Sequence, residues 1–174
     1  MKKTVLVYGL IAGAISAALM LATLPFMSLL DKWGAVVGYT GMLLAAMLVF
    51  FGVRSYRENA AGGRLTFWRG LAVGLLITGI SGLCYTLTWE LLYFKFMPGL
   101  GDKLAAQMLE RARTSAGTPQ EVEAATRQAR SFREWYDKPL LNAAVTFTEP
   151  LPVGLIVSAI SAGILRRKQG AAAS

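Results

Sequence analysis

Two carboxylates lie inside apolar stretches of this sequence, and they are the residues best suited to chemistry. Glu90 lies near the end of "GLAVGLLITGISGLCYTLTWELLYF", and Glu149 stands beside Pro150 and Pro152 in "FTEPLPVGLIVSAISAGIL". A charged side chain at the centre of a membrane costs about 3 kcal/mol on insertion scales, so each glutamate requires a reason to be there. Such a carboxyl can bind a proton or a cation, act as a catalytic acid, or serve a structural role near the membrane surface.

The positions of the two carboxylates within their segments predict that they reach a similar depth. At a helical rise of about 1.5 Å per residue, Glu90 lies about 6 Å before Phe94 and Glu149 about 13 Å past Leu140. Side chains lean toward the N-terminus of their own helix. If the first segment runs outward and the second inward, the two carboxylates therefore approach one level in the outer half of the membrane.

Polar residues on the same helix faces extend this pair into a candidate proton or cation site. Thr86 shares a stripe with Glu90, and Asn142 and Thr146 share a stripe with Glu149. The proline after Glu149 removes an N–H that would normally pair with a helix carbonyl, which leaves an oxygen-rich lining. Two close carboxylates also tend to share one proton. The candidate site comprises Glu90, Glu149, Asn142, Thr146 and Thr86.

Plainer alternatives stay open for both glutamates. Glu90 can extend to the membrane surface beside Trp89 and Tyr93, and Glu149 can be protonated and bonded to a threonine. A catalytic acid is a third alternative, but the sequence contains no hydrolase elbow, Ser-His pair or phosphate loop. With no histidine, and with Cys84 as the one cysteine, no zinc or other transition-metal site is expected. We therefore expect no catalytic residue and no cofactor.

Four long apolar segments carry these residues and predict membrane-spanning helices. Hydrophobic residues make up 55% of the 174 residues and charged residues 16%, and the mean hydropathy is +0.48. About 20 apolar residues cross the hydrocarbon core, where backbone groups must pair internally and helices are the expected form. The segments cover about 4–30, 34–53, 70–94 and 140–165. The expected fold class is an all-α integral membrane protein with four transmembrane helices.

The first segment also resembles a secretory signal peptide, because "MKKTVLVYGLIAGAISAALMLA" has a basic start and an apolar middle. However, its apolar stretch continues to Leu30, which is longer than the usual signal core of about 7–15 residues. Gly9, Gly13 and Ala17 also recur every four residues, a spacing that lets membrane helices pack closely. We expect a retained membrane anchor, with a cleaved signal as the alternative.

The 95–139 segment predicts an extramembrane helical hairpin between the third and fourth spans. Thr118-Pro119-Gln120-Glu121 has the pattern of a capping box, which marks the start of its second helix. Asp102 is placed to cap the first helix. The second helix carries an apolar stripe that must cover either its partner helix or the outer ends of the spans. Docking of a ligand or partner on this hairpin is the alternative to a purely structural role.

The net charge of +8 is explained by short loops beside the spans, so no nucleic-acid binding is expected. Lys2 and Lys3 precede the first segment, and the short 54–69 loop has four arginines against Glu58 alone. Basic residues concentrate on the cytoplasmic side of membranes, so both termini are expected there, N-in and C-in, with the hairpin periplasmic. The same loop suits contact with anionic lipid head groups. The candidate contacts are Arg54, Arg57, Arg64, Trp68 and Arg69.

Several stretches together resemble a known family. They are "MKKTVLVYGLIAGAISAALML", "FFGVRSYRE", "GGRLTFWRGLAVGLLIT", "TWELLYF" and "FTEPLPVGLIVSAISAGILRRK". They look like the bacterial membrane-protein family catalogued as domain of unknown function 4199, and the resemblance covers nearly the whole chain. It implies a small integral protein of the bacterial inner membrane and implies no activity.

The sequence thus favours a small non-enzymatic protein of the inner membrane, an accessory or envelope-assembly component. Its partners would be the lipid bilayer and either further copies of itself, as a homo-oligomer through its small-residue faces, or another membrane protein. The alternative is a small transporter coupled to protons or cations through the outer-half carboxylate pair. An intramembrane enzyme is the third hypothesis.

Overall fold

The computed structural model describes residues 1–23, 34–115 and 118–166, and every regular element in these ranges is helical. The all-α prediction is therefore confirmed for the described part of the chain. Residues 24–30 of the first predicted span lie outside these ranges. The helices are α1 (Lys2–Thr23), α2 (Gly34–Asn59), α3 (Phe67–Leu91, continued by a π-helical turn over Leu92–Phe96), α4 (Leu100–Ser115), α5 (Pro119–Tyr136), α6 (Pro139–Thr148) and α7 (Leu151–Leu165).

Among the described residues, three helical stretches are long and apolar enough to cross a membrane. They are Lys2–Thr23, Phe67–Phe96 and Pro139–Leu165, which coincide with the first, third and fourth apolar segments of the sequence. The chain is therefore a membrane protein by the length and composition of its helices. The second predicted span, 34–53, falls within α2 and stays a prediction.

The last apolar segment forms two helices where the sequence predicts one span. Helix α6 ends at Thr148 and α7 begins at Leu151, with Glu149 and Pro150 in a turn between them. A proline has no N–H to continue the ladder, and its ring clashes with the preceding turn, so the helix is interrupted there. The carbonyl of Pro150 then accepts the N–H of Gly154 at 2.9 Å, which starts α7. This interruption places Glu149 at a helix end.

The chain divides into two compact units, of which the first comprises Met1–Tyr85 and Phe147–Ser174. Its core is built where α1, α2, α3 and α7 meet, around side chains that are almost entirely buried. These core residues are Val5, Val49, Val53, Tyr56, Leu65, Val73, Ile77 and Leu165. Lipid tails are as apolar as these side chains, so close packing, more than the hydrophobic effect, must hold such helices together.

Glycines bring α1 into close contact with α3 in the first unit. A methyl group placed on Gly9 would lie 2.7 Å from the Cβ atom of Ile80, and one on Gly13 would lie 2.5 Å from the Cβ atom of Cys84. Real Cβ atoms do not approach so closely, so only glycine permits this contact. The close-packing role that the four-residue spacing predicts is confirmed for these two glycines, and it is played within one chain.

A second close contact joins α3 to α7. A methyl group on Gly74 would lie 2.7 Å from the Cβ atom of Ser158, and one on Gly154 would overlap the side chain of Thr78. Each helix thus contributes a glycine that packs against a hydroxyl residue of the other helix: Gly74 of α3 against Ser158 of α7, and Gly154 of α7 against Thr78 of α3. The Thr78 hydroxyl donates to the carbonyl of Gly74 at 3.0 Å, which keeps it bonded inside its own helix.

The second unit comprises Thr86–Thr146, and within it α4 and α5 pack against each other. The capping box is confirmed, since the Thr118 hydroxyl accepts the Glu121 N–H at 3.4 Å and the Glu121 carboxylate accepts the Thr118 N–H at 3.1 Å. Helix α4 begins at Leu100, so Asp102 is in its first turn and the expected capping position is wrong. Asp102 pairs with Arg133 of α5 at 2.7 Å.

Candidate functional site

A buried asparagine organises the polar interior of the second unit. Asn142 of α6 is 0% exposed. Its Oδ1 atom accepts the indole N–H of Trp89 at 3.0 Å and the hydroxyl of Thr146 at 3.2 Å. Its Nδ2 atom donates to the backbone carbonyl of Tyr136 at 3.0 Å. One side chain thereby joins the last turns of α3, the end of α5 and the body of α6.

These bonds limit what Asn142 and Thr146 can do for a ligand. The Asn142 oxygen has two lone pairs, and two donors already occupy them. Thr146 is 2% exposed and directs its hydroxyl to the same oxygen. Both residues were singled out in the sequence for a proton or cation site, and in the structure both bind protein groups. A buried amide held by three bonds fixes the register of helices α3 and α6.

Thr86 and Glu90 present two polar atoms that are buried and lack a partner. They lie one turn apart on α3, and therefore on one helix face. Within residues 1–23, 34–115 and 118–166, the Oγ1 atom of Thr86 and the Oε1 atom of Glu90 have no hydrogen-bond partner. Thr86 is 6% exposed, whereas the Glu90 side chain as a whole is half-buried. Buried polar atoms are nearly always bonded, so this pair is a site to explain.

Glu149 occupies a different setting from Glu90. Its side chain is exposed in the turn between α6 and α7, and it belongs to the first unit, whereas Glu90 belongs to the second. The predicted pairing of the two carboxylates therefore stays a prediction. The proline that follows Glu149 explains its position at a helix end, as the sequence pattern suggested.

Ion pairs, a hydrogen bond and stacked rings connect the turn that follows α3 with α4 and the end of α5. Arg133 pairs with Asp102 at 2.7 Å and with Asp137 at 3.5 Å. The Tyr93 hydroxyl donates to Asp137 at 3.5 Å, and the Phe132 and Tyr136 rings stack at 4.1 Å. The i,i+4 spacing of Arg133 and Asp137 could have been found in the sequence. The link to Asp102 could not, since the two residues lie on different helices.

Helix α2 continues to Asn59, so the loop begins later than the predicted 54–69 range. At this end of α2, two of the candidate lipid-contacting arginines are engaged with a neighbouring carboxylate. Glu58 pairs with Arg54 at 2.9 Å and with Arg57 at 3.2 Å. The hydrogen bond from Arg54, with a further contribution from Arg57, holds the pKa of Glu58 below its ordinary value. All three side chains are at the surface of the chain. Exposed pairs of this kind are weak and are screened by salt.

The other three candidate lipid contacts are exposed and sit around a buried leucine. Trp68 is 75% exposed, and Arg64 and Arg69 flank it on the surface. Leu65 is 2% exposed and belongs to the core of the first unit, so it fixes the chain between Arg64 and the start of α3. An exposed tryptophan between two arginines at the start of a span suits the head-group level of a membrane. Arg64, Trp68 and Arg69 are thus exposed, and their contact with lipid stays a prediction.

The family model described as "Protein of unknown function (DUF4199)" matches residues 7–167. No curated protein matches the chain. No solved structure matches it either. The matched range includes all five residues of the candidate proton or cation site and all five candidate lipid contacts. By this match, which agrees with the resemblance of its sequence stretches, the chain belongs to the DUF4199 family.

Proposed function

We propose that this protein is a non-enzymatic accessory component of a bacterial inner membrane. It crosses the membrane four times, has both termini in the cytoplasm, and displays α4 and α5 as an extramembrane helical hairpin in the periplasm. The hairpin acts by contact with another envelope protein. The observation that carries the proposal is the self-contained packing of α4 on α5, with its capping box and its ion pair between Asp102 and Arg133.

The fourth crossing is assigned to α2. This helix has 26 residues, or about 39 Å at the helical rise, which exceeds the roughly 30 Å of hydrocarbon. It packs against α1 and α7, and its Val49 and Val53 lie in the core of the first unit. The turn from Asn59 to Phe67 is short, so the end of α2 and the start of α3 lie on one side of the membrane. Its arginines favour the cytoplasmic side.

The hairpin supports a contact role because its apolar stripe is already covered. Ala129 is 2% exposed, and the other residues of the stripe are partly buried, namely Val122, Ala125, Phe132 and Tyr136. The stripe therefore needs no membrane helix to cover it, and the opposite face of α5 displays charged side chains. These exposed charged residues include Glu123, Arg127, Arg130 and Glu134. A polar, internally stabilised surface of this kind suits a transient interface with another protein, because transient interfaces are more polar than obligate ones.

Two observations favour this role over a transporter that closes on a carboxylate pair. Glu149 is exposed, and the polar groups of Asn142 and Thr146 are bonded to protein. The proposal also does not rest on homo-oligomers formed through the small-residue faces, because Gly9 and Gly13 pack against α3 of the same chain.

Cysteine labelling tests the topology on which the proposal depends. In a Cys84→Ala background, a cysteine replacing the exposed Gln128 of α5 should react with an impermeant maleimide added to spheroplasts. One replacing Ser174 should react only after lysis. The reverse pattern would overturn the N-in assignment.

Photo-crosslinking then tests the contact role. A photoreactive residue at Gln128 should give a protein adduct of discrete mass in intact cells. The control is Ile156, which is 59% exposed on α7 and is expected to meet lipid. Absence of a protein adduct at Gln128, or the same adduct at Ile156, would contradict a contact role for the hairpin.

A further inference from the structure

One face of α3 carries two buried oxygen atoms, from Thr86 and Glu90, that have no hydrogen-bond partner among the described residues. A threonine in a helix normally bonds its hydroxyl to the carbonyl one turn earlier, as Thr78 does to Gly74 at 3.0 Å. Thr126 of α5 does the same to Val122 at 2.8 Å. Thr86 is 6% exposed, yet its hydroxyl makes no such bond in the described part of the chain. Its oxygen is therefore bonded neither to the helix backbone nor to any other group in the described part of the chain.

Glu90 presents a second buried oxygen on the same face. Its Oε1 atom lacks a hydrogen-bond partner among the described residues, while the side chain as a whole is half-buried. The partly exposed side chain gives the carboxyl a route by which a proton can enter and leave. Two orphaned oxygens one turn apart fit a water molecule that bonds to both of them.

The neighbouring polar groups are bonded elsewhere, so they do not complete this site. The indole N–H of Trp89 donates to Asn142, and the Asn142 oxygen is filled by Trp89 and Thr146. The Tyr93 hydroxyl donates to Asp137. Titratable groups at this end of the second unit include Tyr93 and Lys95 in the π-helical turn that continues α3, Asp102 on α4, Arg133 and Tyr136 on α5, and Asp137 and Lys138 after it; α6 has none.

The donor set favours a proton over a metal cation. Calcium takes about 6–8 oxygen ligands and magnesium requires an octahedron. Here one carboxyl and one hydroxyl are available, and the amide oxygen of Asn142 is occupied by two donors. A carboxyl that binds a proton becomes neutral, which removes the cost of a charge in a segment that crosses the membrane.

We propose that Thr86 and Glu90 form a proton-binding site, in which a protonated Glu90 carboxyl and the Thr86 hydroxyl share one bound water. Binding is the reaction of the carboxylate with a proton to give the carboxylic acid, with no other bond changed. The site lies within the second unit and does not require Glu149. It is also independent of the contact role of the hairpin, since it rests on the end of α3 alone.

Infrared spectroscopy of the purified protein tests the site directly. At pH 7 the wild type should show the carbonyl-stretch band of a protonated carboxyl, and Glu90→Gln should remove it. Glu58→Gln, at an exposed glutamate, is the matched control and should leave the band in place. Absence of the band in the wild type, or its persistence in Glu90→Gln, would overturn the proposal.

Two further variants test the composition of the site. Thr86→Val should move the pH midpoint of the band by about one unit or more, because it removes a hydrogen bond to the carboxyl or its water, whereas Thr86→Ser should retain the midpoint. Glu149→Gln should leave the band unchanged. A band lost in Glu149→Gln would replace this site by the carboxylate pair, and a midpoint unaffected by Thr86→Val would remove Thr86 from it.

Chemical labelling of the wild-type protein tests the protonation of Glu90 without any variant, and it therefore remains informative if a variant does not fold. Dicyclohexylcarbodiimide reacts with protonated carboxyls in apolar surroundings, so mass spectrometry of treated wild-type membranes should place an adduct on the peptide containing Glu90. Prior incubation at high pH should reduce that adduct. Exclusive labelling of other glutamates would contradict a protonated Glu90.

Discussion

Replacing Asn142 by alanine should be among the most destabilising single changes in the second unit. The substitution leaves the Trp89 N–H, the Thr146 hydroxyl and the Tyr136 carbonyl without their partner. A net hydrogen bond contributes about 1 kcal/mol in water-soluble proteins and about 0.6 kcal/mol on average between membrane helices. Three lost bonds therefore lower the free energy of unfolding by about 2–3 kcal/mol. Trp89→Phe removes one of these bonds and should cost about 1 kcal/mol for the bond itself.

A double-mutant cycle in detergent tests this reasoning. Unfolding would be followed by circular dichroism for Asn142→Ala, Trp89→Phe and the double variant. Because the bond between the two side chains can be lost only once, the double variant should be less destabilised than the sum of the singles by about 1 kcal/mol. Leu140→Ala, at a position of α6 that is 84% exposed, is the control and should change stability by less than about 0.5 kcal/mol. Additive costs would refute the Trp89–Asn142 bond as an energetic link between α3 and α6.

Two other perturbations test the first unit. Gly13→Val should lower the stability of the protein in detergent by about 1–3 kcal/mol, because its Cβ atom would meet the Cβ atom of Cys84 at 2.5 Å. Gly79→Ala, where nothing lies within 4 Å, should be close to neutral, and equal losses in thermal unfolding would contradict the close helix contact. Arg54→Gln should raise the pKa of Glu58 toward its ordinary value, as measured by carbon-13 NMR of the carboxyl. The Arg54–Glu58 ion pair is intact above the ordinary pKa of a glutamate and is lost as the pH falls through the lowered pKa of Glu58. If Arg54→Gln left the pKa of Glu58 unchanged, Arg54 would not be its partner.

The parts of the fold that could be predicted are those specified by neighbouring residues. Four apolar segments predicted four spans, and the described part of the chain has three helical stretches long and apolar enough to cross a membrane. The Thr118–Glu121 pattern predicted a capping box that is formed. The interruption after Thr148 is explained by a proline that is visible in the sequence. Each of these features depends on residues within a few positions of one another.

The parts that could not be predicted depend on pairs that are distant in the sequence. Asp102 is a good capping residue, but Arg133 attracts it from another helix, and α4 begins at Leu100 instead. Asn142 lies on a stripe with Glu149, yet its bonds go to Trp89 and Tyr136. Helical periodicity shows which residues lie on the same face of a helix. Only the folded structure shows which of them form hydrogen bonds with residues of other helices.

The first unit is built from two stretches of chain that are separated by the whole of the second unit, and this affects the order of its assembly during synthesis. Its core needs Leu165 from α7 as well as side chains from the first three helices. Until α7 has been made, Gly74 of α3 lacks Ser158, the residue against which it packs. At roughly 5–20 residues per second, the ribosome needs several seconds to synthesise the intervening Thr86–Thr146 stretch. The newly made α1, α2 and α3 therefore lack part of their core until α7 is made, and a chain that stops before α7 lacks it altogether.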